Sequence, residues 1–263
     1  MGQVGTDWQF SGVGGFNGSD TTDMLLRNIK TGGFEVYDIS SNNITNVAFM
    51  GTVGLDWQIP GFGNFSSRGE NDMILRNIVT GGLEVYDIAN NQIIGATFMG
   101  TVGLNWQVAG FGNFSSNPGE SDMILRNQGT GGLELYDIRN NQITGAAFLG
   151  TVGLDWDVAG FGPFNGPGTS DMVLRNVNTG AFEVYDIANN QLTGAASLGA
   201  VGLDWQLGGF AADPPTASMG SSSTSQLVQA MAGFGGGAAD TSNTVPLGAD
   251  TSQQTLLTAP QHA

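Results

Sequence analysis

Asn105-Trp106-Gln107-Val108-Ala109-Gly110-Phe111, then Asp122-Met123-Ile124-Leu125-Arg126, then Leu133-Glu134-Leu135-Tyr136-Asp137-Ile138, then Ile143 to Leu149, are four short runs with apolar residues at alternate positions. A period of two puts those residues on one face of a strand. The breaks between the runs (113–121, Gln128-Gly129-Thr130-Gly131-Gly132 and Asn140-Asn141) carry turn-forming residues. The same unit surrounds Trp8, Trp57, Trp106 and Trp156, and its opening returns at Trp205, at spacings of 49 or 50 residues. These are all five tryptophans of the chain. Four short antiparallel strands in a unit of about 45–50 residues describe a propeller blade. Helical solenoids of this period need long 3.6-residue patterns, which the unit lacks, and β-helix rungs are shorter. The expected fold class is all-β, a small β-propeller of about four four-stranded blades. No single unit can bury its apolar face alone, so neighbours must stack.

Two domains are expected: a repeat domain over 1–210 and a tail over 211–263. If each blade starts at its Asp-Met strand, the blades span 23–64, 72–113, 122–162 and 171–210. Residues 4–16 are then a surplus N-terminal strand, which either stays spare or pairs with a second copy in a homo-oligomer, since open edges invite pairing. The tail contains no Lys or Arg and is rich in Gly, Ala, Ser and Thr, as mostly disordered segments are. Ser225 to Phe234 allows one short helix near 225–232, with Leu227, Val228 and Met231 on one face.

The formal net charge of -16 repels phosphate backbones and anionic lipid, so nucleic acid is not an expected partner. No apolar run is long enough for a membrane span, so membrane insertion is not expected. Cysteine is absent, which removes thiol catalysis and disulfides. The opening residues show no basic stretch followed by an apolar one, so a cleaved secretory signal is not expected.

The repeated Trp-x-(Val/Ile)-x-Gly-Phe-Gly-x-Phe, Asp-Met-(Ile/Leu/Val)-Leu-Arg-Asn and Thr-Gly-x-(Phe/Leu)-Glu-(Val/Leu)-Tyr-Asp segments resemble the FG-GAP/VCBS-type repeats of secreted bacterial proteins over residues 4–210. The resemblance implies a β-propeller, a secreted or surface location, and a calcium loop between the first two strands. Here that loop is eroded. Its candidate ligands are Asn17, Asp23, Asp72, Asp122 and Asp171, with Asn64, Ser66, Glu70, Asn113, Ser115 and Glu120 beside them. Calcium takes six to eight oxygens and gains affinity with carboxylate count. One or two carboxylates per loop imply no cofactor, or weak Ca2+ binding as the alternative. The tail's helix resembles the uncleaved C-terminal signals of type I exporters but lacks their Gly-Gly-x-Gly-x-Asp nonapeptides. Secretion without a cleaved leader is the expectation, and a cytoplasmic location stays open.

Asp23/Arg27, Asp72/Arg76, Asp122/Arg126 and Asp171/Arg175 share a strand face, with Glu35, Glu84, Glu134 and Glu183 on the neighbouring strand. Cross-strand Arg–carboxylate pairing is the expected use, and lining a ligand pocket between blades is the alternative. Trp8, Trp57, Trp106, Trp156 and Trp205 either wedge between blades, the commoner use of a regularly spaced indole, or stack on a ligand such as a sugar. The only histidine is His262 in the tail, and the acids recur in every blade, whereas a catalytic pair should break the symmetry. Asp157, where the other units have Gln, is the one added acid. The sequence therefore points to a non-enzymatic binding or interaction module for a glycan or a protein. The alternatives are a weak calcium-binding structural repeat protein and, distantly, a glycosidase-like hydrolase.

Overall fold

The computed structural model describes residues 3–17, 22–68, 71–117, 121–166 and 168–209. Phe210, the tail and its expected helix lie outside the described residues. The first blade comprises β1 (Trp8–Gly14), β2 (Asp23–Asn28), β3 (Gly33–Ser40) and β4 (Asn43–Thr52). The second comprises β5 (Trp57–Gly63), β6 (Asp72–Asn77), β7 (Gly82–Ala89) and β8 (Gln92–Thr101). The third comprises β9 (Trp106–Gly112), β10 (Asp122–Asn127), β11 (Gly132–Arg139) and β12 (Gln142–Thr151). The fourth comprises β13 (Trp156–Gly162), β14 (Asp171–Asn176), β15 (Ala181–Ala188) and β16 (Gln191–Ala200). Each is an antiparallel sheet in chain order, and the four follow one another in a propeller arrangement, with the first strands innermost.

This corrects the expected blade boundaries. Trp8 pairs with Asn28 and Gly14 with Asp23, so the N-terminal strand is the first strand of its own blade and not a surplus. The surplus copy is the one that opens at Gly202. The chain passes from blade to blade through the short Gly-Leu-(Asp/Asn)-Trp segment. There the Trp57 N–H donates to Gly54 O at 3.1 Å and the Val53 N–H donates back to Gly32 O at 3.1 Å.

Local chemistry explains the hairpins. Asn90 and Asn91 turn with φ of 50° and 58°, and the pairs at 140–141 and 189–190 repeat this. Two successive positive φ values make the type I′ turn whose twist suits a two-residue hairpin, and Asn tolerates them best among non-glycine residues. Between β6 and β7 the Asn77 side chain accepts from the Val79 and Thr80 N–H groups at 2.9 Å. Gly81 follows with φ 75°, and a Cβ there would stand 2.0 Å from Val102 O, so only glycine fits.

Three hydrophobic clusters join successive blades. Phe16, Leu25, Phe34 and Val36 of blade one meet Met73, Leu75 and Ile88 of blade two, with Trp57 and Phe62 packed alongside. The rings of Phe16 and Phe62, Phe65 and Phe111, and Phe114 and Phe161 meet edge to face at centroid distances of 5.2, 5.1 and 5.4 Å. Gly110 makes room for the third pair, since a Cβ there would lie 2.3 Å from the Phe161 ring.

Polar links repeat with the same period. Asp38 accepts from the Asn91 side-chain amide of the next blade at 2.7 and 2.9 Å, Asp87 from Asn141 at 2.6 Å, and Asp137 from Asn190 at 2.7 Å. The backbone N–H groups of the same asparagines donate to Phe16 O, Phe65 O and Phe114 O. Charge-assisted bonds of this kind fix the register between sheets that apolar contact alone would let slide.

Among the described residues no cluster joins blade four to blade one. Phe10 is 63% exposed and Val13 54% on the first blade, and Leu198 is 57% exposed on the fourth. The propeller is an open arc.

Candidate functional site

Gln9 lies opposite Arg27 across the first two strands, and Gln58 opposite Arg76, Gln107 opposite Arg126 and Asp157 opposite Arg175. In blades one to three the Gln immediately follows the tryptophan, so each of these blades sets an amide opposite a guanidinium at its inner edge, while blade four sets a carboxylate there. Stacking the blades aligns these pairs into a groove along the inner strands. Its larger part, ≈ 690 Å³, runs over blades one to three past Gln9, Gln58, Gln107, Arg27, Arg76 and Trp57. A smaller part, ≈ 300 Å³, continues from Gln107 past Arg126 to Asp157 and Val158. Ligand clefts commonly measure about 300–1,000 Å³.

The arginines do not form the expected carboxylate pairs within their own blades. Arg27 donates to Gly54 O at 2.9 Å and to Trp57 O, and Arg76 reaches Gly103 O and Leu104 O at 3.4 Å. Arg126 donates to Gly153 O at 3.0 Å, and Arg175 to Gly202 O and Trp205 O at 3.2 and 2.7 Å. Each guanidinium clasps the segment that begins the next unit. The one carboxylate that meets an arginine of this set among the described ion pairs is Asp157, 3.4 Å from Arg126 and in the next blade. Burial pushes the Arg27 guanidinium below its usual range, with Asp56 opposing, and burial lowers Arg76 as well. Of the seven Lys and Arg in the chain, Arg27 and Arg76 line the larger part of the groove and Arg126 the smaller.

The expected calcium-loop aspartates serve the backbone. Asp23 accepts from Phe16 N–H and Ile39 N–H at 3.1 and 3.2 Å. Asp72 accepts from Ser66 N–H at 2.7 Å, and burial pushes its carboxyl up while that bond opposes the shift. Asp122 accepts from Phe114 and Ser115 N–H at 2.9 Å and from Ile138 N–H at 3.3 Å. Asp171 accepts from Asn165 and Ile187 N–H at 2.7 and 3.1 Å. All four are buried. Among the described residues no group of three or more His, Cys, Asp or Glu could hold a metal ion. In each loop the described aspartate is engaged by backbone N–H donors of the turn it closes. Asn17 is half-buried beside this turn, and Glu70 and Glu120 lie outside the described residues.

Trp57, Trp106 and Trp156 pack half-buried against the clusters between blades, and Trp57 also borders the groove. Trp8 is half-buried on the open first blade, and Trp205 is 66% exposed. The tyrosines are tied to their own strand: Tyr37 and Tyr185 donate to Glu35 and Glu183 at 2.8 and 3.0 Å. Burial, with the adjoining glutamate, raises their phenols above the usual range.

No protein-family model matches the chain, and no curated protein matches it. Among solved structures it is similar to a post-proline cleaving enzyme from Rickettsia typhi, at 10% identity and a TM-score of 0.43, over 73% of this chain and 29% of that one. The chain spans less than a third of that enzyme's length, and at such identity none of its chemistry transfers. Fold and site together define the class: a four-blade β-propeller repeat protein with a polar groove along its inner strands.

Proposed function

We propose that this chain is a non-enzymatic binding module, secreted or surface-associated, whose inner-strand groove holds a glycan or an extended segment of another protein. The observation that carries the reading is the Gln–Arg pair set at the same place in three successive blades along one groove. Hydrogen-bond donors at a fixed repeat suit a ligand that repeats, such as a polysaccharide or an extended backbone. Amide side chains offer both donor and acceptor to hydroxyls or peptide groups. The arginines, already anchored on backbone carbonyls, add positive potential without swinging free. Resemblance to the FG-GAP/VCBS repeats supports the extracellular placement, and the lone tail histidine with symmetrically repeated acids supports a role without turnover.

Glycan arrays and extended-peptide panels, followed by calorimetry, test this reading. The double variant Gln58→Ala/Gln107→Ala should weaken binding about tenfold, two hydrogen bonds of roughly 0.7 kcal/mol each, while leaving the melting temperature unchanged. Binding indifferent to both substitutions, or turnover that vanishes with one Asp or Glu, would refute it.

A further inference from the structure

We propose that two copies of this chain associate head to tail, the first blade of one packing on the fourth blade of the other as consecutive blades pack within the chain. The inference rests on the open ends of the arc and not on a ligand in the groove, although Phe10 also lines the groove and Val13 does not. The three internal interfaces are made from the same two half-faces, used repeatedly. One copy of each half-face is left over. The forward half-face on blade four has Leu198 at 57% exposure and Val201 at 45%, where Met50 and Val53 are each 8% exposed under blade two. The backward half-face on blade one has Phe10 and Val13 at 63% and 54%, where Ile59 and Phe62 pack against blade one. Met24 is half-exposed where Met73, Met123 and Met172 are fully covered.

Polar groups match as well. Asp186 stands where Asp38, Asp87 and Asp137 each receive an asparagine amide from the next blade. Asn42, with φ 63°, stands where Asn91, with φ 58°, makes that donation. Arg175 already holds Gly202 O and Trp205 O, so the start of the fifth unit sits where the next blade's entry segment belongs. It supplies no second, third or fourth strand among the described residues, and Leu198 and Val201 remain uncovered. In the complex the partner's Gly5–Trp8 segment replaces it and brings a whole blade. The two faces are unlike, so the contact is heterologous, giving a ring where the rotation closes and longer chains where it does not. The net charge of -16 opposes association at low salt, and a Debye length of about 8 Å at 0.15 M screens it.

Sedimentation equilibrium of the full chain at physiological salt, across a concentration series, gives the test. Wild type should rise above its 27.2 kDa monomer mass. Phe10→Asp blocks the head and Leu198→Asp blocks the tail, so each alone should weaken association more than ~10-fold, because each buries an unpaired carboxylate. Their equimolar mixture should form a one-to-one complex that grows no further, since only one head and one tail remain intact. Both positions are exposed, so at dilutions where wild type is monomeric their melting should match wild type; if either variant fails to fold, Val13→Lys and Val201→Lys replace the pair. A wild type that stays monomeric throughout, single variants that still associate, or a mixture that stays monomeric would each overturn the proposal.

Discussion

Phe114→Ala should cost about 3–5 kcal/mol, the usual range for truncating a fully buried phenylalanine. Phe114 is 0% exposed and sits in the cluster that joins blades three and four. Its ring meets Phe161 edge to face, a geometry worth about 0.5–1.5 kcal/mol beyond the area buried. In a repeat array, stability is approximately the sum of unit and nearest-neighbour terms. Losing one interface should therefore release blade four before the rest, visible as a second step in urea unfolding followed by tryptophan fluorescence. Phe10→Ala is the control: the same residue type on a face 63% exposed should shift stability by no more than about 0.5 kcal/mol. Equal effects at the two positions would mean the interface between blades three and four is not where the energy lies.

Asp122→Ala should destabilise by about 3 kcal/mol or more, because three backbone N–H groups lose their acceptor together and each buried unmet donor costs roughly 1–3 kcal/mol. The carboxylate is fully buried and ties the turn after β9 to the C-terminal end of β11. Asp122→Asn keeps one oxygen acceptor and should lose less. The same measurement separates a backbone clasp from a calcium ligand. A clasp predicts the same loss in calcium and in chelator, with wild-type melting unmoved by either. A bound ion would raise wild-type stability by mass action.

Much of the fold is written in the repeat. The tryptophan period fixed the unit, alternation fixed the strands, and the Asn-Asn pairs at 90–91, 140–141 and 189–190 placed the hairpins. The blade boundary was not legible, for a physical reason. A repeat has no intrinsic beginning, and the link from Thr52 to Trp57 is short enough to be read as a hairpin, although it crosses between blades. The longer loop after Gly14 is the one that closes a strand pair. The arginines were misassigned on the same ground. Periodicity shows which side chains share a face, but a partner about thirty residues along, such as Trp57 for Arg27, lies in the next blade. The groove had a visible signal in the Gln that follows four of the five tryptophans. Only stacking shows that these amides align beside the arginines, and Asp157, the exception, marks the end where the Arg126 pair forms.

Four blades stacked as an open arc leave blades one and four apart. Because the chain has no cysteine, single labelling cysteines can be placed freely on the exposed outer strands, at Thr45, Thr144 and Thr193 of blades one, three and four. Double electron–electron resonance on doubly labelled chains, diluted with unlabelled protein, then ranks two distances. The arc predicts that the 45–193 separation exceeds the 45–144 separation. A closed ring of four makes blades one and four neighbours and would reverse that order, contradicting the account.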